Sequence, residues 1–237
     1  MNTVFGNDDV MITPADDKLR QYLSGKFEPK DDTLFTVIPA MYSGKADAQY
    51  LRKEAIHGFK MMADEAKKDG VTLKIVSATR NFYSQKAIWE AKWNGTRADW
   101  KDVVTKYPAA VDRAKAILRY SSMPGTSRHH WGTDVDINSV EPDYFLTKKG
   151  KAEYDWLVKN AARFGFCQPY SPKGADRPNG YEEEKWHWSY MPLSKNFLNQ
   201  YPTIVSYTDI KGFDGDAAAE SLKVIDNYVL GVNVDCK

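Results

Sequence analysis

Two short segments of this 237-residue chain carry three of its four histidines, each beside carboxylates. The first runs Ser-Arg-His-His-Trp-Gly-Thr-Asp-Val-Asp over residues 127–136, and the second runs Glu-Lys-Trp-His over residues 184–187. Histidine and aspartate are ligands that zinc accepts, and a further glutamate near the ion can act as the base of a zinc hydrolase. The two segments therefore indicate a metal-dependent hydrolase. The fourth histidine, His57, lies inside a predicted helix and is interpreted as an ordinary helix residue.

The first segment is predicted to end in a strand, residues 133–137, which sets the directions of its two acids. Successive side chains of a strand point to opposite faces, so Asp134 and Asp136 share one face. Either both approach an ion, or one of them orients a ligand from behind. The adjacent His129 and His130 cannot point the same way in extended chain, so only one of them is expected to bind.

The second segment predicts a local departure from regular strand. A strand over residues 185–190 places Trp186 and Trp188 on one face and His187 on the other, with Glu184 facing away from His187. If Glu184 and His187 serve one ion, the chain must turn or bulge between Glu184 and Trp186. The spacing is not H-E-x-x-H, which excludes the zinc proteases that carry that motif.

The rest of the sequence predicts the elements that position these segments. Helices are predicted from Thr13-Pro14 to about Ser24, over residues 50–69, 84–93, 147–164 and 216–230, and from Pro108 onward. Strands are predicted over residues 34–38, 71–77, 133–137 and 185–190. Because strict strand–helix alternation is absent, the pattern favours an α+β fold over a doubly wound sheet.

Composition excludes two classes of partner. The chain has 33 basic and 32 acidic residues, a net charge of +1, and no basic run that would indicate a nucleic-acid partner. No apolar stretch approaches the length of a membrane span. A hydrophobic content of 42% suffices for one domain over residues 1–237.

The residues alone do not decide whether the protein is cytoplasmic or exported. The N-terminus lacks the basic end and apolar segment of a signal peptide, so either the protein is cytoplasmic or its export signal is absent from this sequence. Cys167 and Cys236 could form one disulfide or remain two thiols.

Three motifs stand in order between about Leu51 and Tyr190. They are Ser77 and Arg80 with Gln85; Ser127, His129, Gly132 and Asp136; and Glu184, Trp186 and His187 with Trp188. This order resembles the zinc D-alanyl-D-alanine carboxypeptidase family of the VanY type, which includes D,D- and L,D-peptidases of peptidoglycan. Its pattern is S-x-x-R-x-x-x-x-Q, then S-x-H-x-x-G-x-A-x-D, then E-x-x-H before an aromatic residue.

The resemblance implies a role for each matched residue. His129, Asp136 and His187 resemble the ligands of one zinc ion, with water in the open position. Glu184 resembles the general base, and Arg80 resembles the cation that holds the scissile carbonyl oxygen as negative charge develops.

Other matched positions resemble parts of the substrate site, and one position departs from the pattern. Gln85 and Ser127 resemble residues that shape the site and bind the peptide, and Trp186 is expected to line the metal pocket. Asp134 stands where the family has a small apolar residue, so it is a candidate for orienting a ligand from behind. Its charge could instead raise the pKa of the base or of bound water, or pair with Arg128 or a substrate amine.

The resemblance also implies a fold and a function. The fold would be the Hedgehog/D,D-peptidase-like zinc peptidase fold, with a small antiparallel sheet flanked by helices, a core over about residues 50–191 and helical extensions at both ends. The function would be that of a monomeric carboxypeptidase acting on peptidoglycan stem peptides of the D-alanyl-D-alanine type.

Two alternatives accompany this hypothesis. One is a peptidoglycan endopeptidase of the lysin type, and the other is a non-catalytic, zinc-stabilised binding module, against which the intact Glu184 and Arg80 argue. Because peptidoglycan lies outside the cytoplasm, the resemblance implies export to the periplasm or cell envelope. A Cys167–Cys236 disulfide would fit that compartment.

Overall fold

A four-stranded antiparallel sheet lies at the centre of the computed structural model, which describes residues 14–237. The strands are β1 (Phe35–Val37), β2 (Tyr50–Arg52), β3 (Ile75–Ser77), β4 (Asp134–Ile137), β5 (Phe166–Cys167) and β6 (His187–Tyr190). The central sheet has the order β3-β4-β6-β5, and β1 pairs with β2 in a separate ribbon. The α-helices in this part of the chain are α1 (Pro14–Ser24), α2 (Lys53–Lys68), α3 (Phe82–Trp93), α4 (Val103–Lys106), α5 (Ala110–Ile117), α6 (Lys148–Asn160), α7 (Met191–Ile204) and α8 (Ala218–Ser221). The predicted α+β class, with small antiparallel sheets flanked by helices, is confirmed.

The two faces of the central sheet differ in chemistry because side chains alternate along each strand. Val135 and Trp188 are cross-strand partners on one face and are buried in a hydrophobic cluster that includes residues of α2 and α6. Asp136 and His187 are cross-strand partners on the other face. The register between β4 and β6 therefore buries apolar side chains on one side and brings the two site segments together on the other.

A second hydrophobic cluster fills the space between α3, α5, α7 and the C-terminal segment. Its largest buried side chains include Trp89, Trp131 and Tyr201. The disulfide between Cys167 and Cys236, whose Cα atoms are 5.8 Å apart, joins β5 to the last residues of the chain and belongs to this cluster. Of the two alternatives that the sequence leaves open for these cysteines, the structure contains the disulfide.

Several predicted boundaries differ from the observed ones. Residues 50–52 form β2 rather than the first turn of a helix, because they pair with β1. Of the predicted strand at residues 71–77, only 75–77 pairs with β4. The Asn138 side chain accepts from the Lys74 N–H at 2.7 Å and donates to the Thr72 carbonyl at 2.9 Å, which occupies backbone groups that a longer ladder would use.

The C-terminal third contains the largest departures. Helix α7 was not predicted; it tolerates Pro192 in its first turn and contains Pro202 close to its end. The helix predicted over residues 216–230 is interrupted, because Lys223 adopts a φ of 48° between α8 and a short π-helical turn at Ile225–Val229. Thr13, at the predicted start of the first helix, lies outside the described residues. Within residues 14–237, no helix is both long and apolar enough to cross a membrane.

Candidate active site

His187 is held in one orientation by a buried carboxylate behind it. Its Nε2 lies 2.9 Å from Oδ2 of Asp134, and that oxygen also accepts from Nε of Arg128 at 2.9 Å. Because a carboxylate can only accept, Nε2 carries the proton, and Nδ1 is the ring nitrogen that faces the site. The second oxygen of Asp134 accepts from the hydroxyls of Thr133 and Ser189 at 2.7 and 2.9 Å. Asp134 therefore pairs with Arg128, one of the alternatives the sequence left open.

His129 is oriented in the same way by a backbone carbonyl. Its Nδ1 lies 2.8 Å from the carbonyl oxygen of Ala78, which can only accept, so Nε2 is free to face Asp136. His129 lies in a single turn of 3-10 helix, Arg128–Trp131, and Gly132 follows this turn with a φ of 71°. A Cβ at Gly132 would lie 2.2 Å from the Phe35 ring. Only glycine fits this redirection of the chain from His129 into β4.

The free ring nitrogens of the two histidines converge on one carboxylate oxygen. Oδ1 of Asp136 lies 3.3 Å from Nε2 of His129 and 3.4 Å from Nδ1 of His187. Burial opposes ionisation of Asp136, but the two imidazoles hold its pKa well below the usual range. One donor atom from each of the three buried residues lies within 4.8 Å of the others, so this group could hold a metal ion.

Glu184 joins this group through a turn. The His187 N–H donates to the Glu184 carbonyl at 3.2 Å, and β6 begins only at His187, so the predicted turn between Glu184 and Trp186 is confirmed. Oε2 of Glu184 lies 3.3 Å from Nδ1 of His187. Burial, together with the charge of Asp136, raises the pKa of Glu184 above its usual value, while His187 opposes the shift. A raised pKa suits a group that takes and returns a proton.

His130 points away from its neighbour, as the sequence predicts for adjacent histidines. Its Nε2 accepts from the Gly125 N–H at 3.0 Å, and its Nδ1 donates to the Arg80 carbonyl at 2.7 Å. Burial lowers the pKa of His130 to about 3. His130 is therefore a neutral side chain that joins two loops behind the site.

The remaining predicted residues divide into those that reach the cavity and one that does not. Arg80, Gln85 and Trp186 line a cavity of about 320 Å³ together with Glu184 and the three possible ligands. Nη1 of Arg80 donates to Ser77 Oγ at 3.0 Å and lies 3.8 Å from Oδ2 of Asp136. Ser127 is 1% exposed and is not among the residues that line the cavity.

Two residues of α3 in the cavity wall have polar groups that the described protein satisfies only in part. Gln85 donates to the Ser122 carbonyl at 2.8 Å, but its buried Oε1 accepts nothing within residues 14–237. Lys92 is 7% exposed, lines the same cavity, and was missed by sequence reasoning. Its position seven residues after Gln85, on the same face of α3, is the signal that could have identified it.

Comparison with known proteins adds a family and several relatives. The family model described as "VanY: D-alanyl-D-alanine carboxypeptidase" matches residues 48–193. The Bacillus subtilis protein named "Putative carboxypeptidase YodJ" is 33% identical over 180 residues, covering 73% of this chain and 58% of that protein. A D-alanyl-D-alanine carboxypeptidase of Enterococcus faecalis is 33% identical over 130 residues, covering 55% of this chain and 44% of the relative. The chain thus spans about half the length of these curated relatives.

Two solved structures share the fold. The LD-carboxypeptidase LdcB aligns with a TM-score of 0.54 and 26% identity, covering 79% of this chain and 81% of the other. A variant of the vancomycin-resistance D,D-pentapeptidase VanY, solved in complex with Zn(II), aligns with a TM-score of 0.50 and 26% identity, covering 77% and 93%.

Proposed function

The chain belongs to the VanY family of D-alanyl-D-alanine carboxypeptidases, and we propose that it is a zinc-dependent carboxypeptidase that removes the terminal D-alanine from peptidoglycan stem peptides. The observation that carries this proposal is the convergence of His129, Asp136 and His187 beside the buried carboxylate of Glu184. A metal-binding module without turnover would need the three ligands but would have no use for that fourth group.

The donor set fits one zinc ion. Tetrahedral zinc with bonds of about 2.0 Å places its ligand atoms about 3.3 Å apart. The two nitrogen-to-oxygen distances at Asp136 are 3.3 and 3.4 Å, and its Oδ1 is a buried oxygen without a hydrogen-bond partner in the described chain. His129 and His187 each have the other ring nitrogen engaged by an acceptor, which is the arrangement that zinc-bound histidines need. When bound, zinc would acidify a water molecule and polarise the scissile carbonyl.

The protein's own groups would then move the proton and hold the developing charge. Glu184 accepts the proton of the attacking water and returns it to the leaving amine, a role that its raised pKa suits. Arg80, whose guanidinium is held by Ser77 beside Asp136, donates to the oxygen of the tetrahedral intermediate.

Asp134 is assigned a positioning role. It fixes the tautomer and ring plane of His187 from behind, and Arg128 supplies the positive charge that keeps it ionised in a fully buried place. Burial opposes this, but Arg128 first and His187 next hold the pKa of Asp134 far below its usual value. The negative charge of Asp134 therefore acts mainly on Arg128 and His187, and not on Glu184.

Substrate contacts are proposed for the residues that reach the cavity. Gln85 offers an unpartnered amide oxygen that can accept a peptide N–H, and the indole of Trp186 forms an apolar wall. A contact of Ser127 with substrate stays a prediction from the resemblance, and its place outside the cavity lining gives it no support.

The wider setting is also proposed. The whole chain is taken as one zinc peptidase domain that acts as a monomer in the periplasm or cell envelope. The disulfide supports this placement because such bonds persist in oxidising compartments.

Defined muropeptides, with mass spectrometry of the products, test the proposal. Loss of one terminal D-alanine from a pentapeptide stem is the expected result. Loss of a residue after an L-centre would indicate L,D-specificity, larger fragments would indicate a lysin-type endopeptidase, and absence of cleavage by the zinc-loaded protein would contradict a peptidase function.

A further inference from the structure

One ammonium group in the cavity wall has no carboxylate partner. Nζ of Lys92 donates to Oγ of Ser121 at 2.5 Å, and within residues 14–237 it forms no ion pair at 4.0 Å or less. Asp99 also lines the cavity, but its carboxylate is paired with Arg97 at 2.7 Å. The ammonium of Lys92 thus has one neutral hydrogen-bond partner and lies 5.4 Å from the centre of the Trp100 ring, which also lines the cavity, but it has no anion of the described chain in contact.

This placement is unfavourable for the protein by itself. Burial first, and the charge of Arg97 next, lower the pKa of Lys92 to about 8, while the more distant charges of Asp99 and Glu184 oppose the shift only in part. A buried ammonium is disfavoured unless an anion compensates it. Buried charged groups that lack a counter-charge from the protein concentrate at binding sites, where the ligand can supply the opposite charge.

The cavity connects this ammonium with the group that would perform hydrolysis. Lys92 and Gln85 are two helical turns apart on the same face of α3, and both line the cavity that contains His129 and Glu184. A peptide whose scissile carbonyl lies at the metal ligands can thus extend its terminal residue toward α3.

We propose that Lys92 binds the free C-terminal carboxylate of the peptide substrate and thereby selects cleavage of the last residue. This inference rests on the proposed function and names the recognition group that a carboxypeptidase requires. The carboxylate provides the missing counter-charge, and the hydroxyl of Ser121, which accepts from Lys92, can donate its own proton to the same group. A carboxylate on a side chain of the stem peptide has the same chemistry, so the experiment must separate the two.

The test compares two enzymes with two peptides. Wild type and Lys92→Met, both loaded with zinc, are assayed on a peptide that ends in D-Ala-D-Ala with a free carboxylate and on its C-terminal amide. Loss of one charge-assisted hydrogen bond corresponds to about a tenfold to hundredfold fall in kcat/KM, expressed mainly in KM. For wild type, kcat/KM should fall by this factor when the peptide is amidated. For Lys92→Met, kcat/KM on the free-carboxylate peptide should already be lower than that of wild type by the same factor, and amidation should change it little.

Two controls separate recognition from folding and from general charge. Lys86→Met removes a lysine of the same helix that binds the Gly212 carbonyl and pairs with Glu90, outside the cavity lining, and should behave like wild type. Because Lys92→Met removes an uncompensated buried charge, its Tm should equal or exceed that of wild type. A lowered Tm with unchanged KM would assign Lys92 a structural role and overturn the proposal.

The remaining outcomes are distinct. If Lys92→Met keeps the full preference for the free carboxylate, another group recognises it and the proposal is wrong, while the peptidase function stands. A second outcome is an equal loss of kcat/KM by Lys92→Met on both peptides. If amidation of a stem side-chain carboxylate then makes wild type and Lys92→Met equally active, Lys92 binds that side chain and the proposal is wrong. If wild type cleaves neither peptide, the proposed function itself fails, and this inference fails with it.

Discussion

Asp134→Asn should separate the charge behind His187 from the shape of the site. Asparagine keeps one oxygen that can face Arg128 and His187 at the positions now 2.9 Å from each, and its amide nitrogen can face the hydroxyls of Thr133 and Ser189. What is lost is the negative charge. Loss of such a partner lowers metal affinity by about 10- to 100-fold.

The same substitution should also lower stability. Arg128 is fully buried, so it would be left as an uncompensated charge, which costs about 3–5 kcal/mol. For a chain of this size, about 2–4 °C per kcal/mol converts this to a fall in Tm of about 6–20 °C. Zinc affinity is measured by competition with a chromophoric chelator, and Tm by calorimetry of the metal-free protein.

A double variant distinguishes the two effects. Arg128→Met with Asp134→Leu removes both charges, so most of the lost stability should return. Metal affinity should stay low, because leucine offers no acceptor to Nε2 of His187. If Asp134→Asn retains wild-type zinc affinity while being destabilised, the reasoning that Asp134 positions His187 is refuted.

Three further predictions concern the histidines, the disulfide and pH. His129→Ala should abolish stoichiometric zinc binding, whereas His130→Ala should keep it and lower the unfolding free energy by about 2–4 kcal/mol; metal content and denaturant titration of both variants check this. Reduction of the Cys167–Cys236 bond, which spans 69 residues, should lower the unfolding free energy by about 4 kcal/mol, and a thiol titration should find two thiols only after reduction. Burial disfavours charged His187, but its three carboxylate neighbours raise its pKa well above the usual value, so zinc must displace a proton. Zinc affinity should therefore fall by about tenfold per pH unit below that pKa, and an affinity independent of pH would contradict the assignment.

The chemistry of the site could be predicted from sequence because it depends on local rules. Strand alternation placed Asp134 and Asp136 on one face, and their contacts with the two nitrogens of His187 confirm it. The mismatch between Glu184 and His187 in a regular strand predicted a turn, which the structure contains.

Long-range contacts could not be predicted in this way. The choice of Arg128 as the partner of Asp134 depends on Ser189 of β6, which binds both side chains from another strand. The position of Lys92 in the cavity depends on how α3 packs against the loop that contains Ser121. The contacts of Ser189 have no signature in the spacing of residues along one element. The seven-residue spacing from Gln85 places Lys92 on the same face of α3 but does not predict its contact with Ser121.

Some helix and strand boundaries were predicted wrongly for the same reason, because tertiary contacts determine them. Residues 50–52 carry a helical apolar pattern, but the buried Arg52 donates to the Trp131 carbonyl at 2.7 Å, and β1 supplies ladder partners. Tertiary contacts therefore override the local preference for helix. For α7, prolines near both ends obscured a helix whose interior residues Leu198 and Tyr201 pack into the second hydrophobic cluster.

Turnover and metal content of Glu184→Gln test the central claim most directly. The substitution preserves the size of the side chain and removes the carboxylate that lies 3.3 Å from Nδ1 of His187. The account predicts one bound zinc per chain and a loss of at least about a hundredfold in the release of terminal D-alanine. Near-normal release of D-alanine by this variant, with zinc bound, would contradict the assignment of Glu184 as the base.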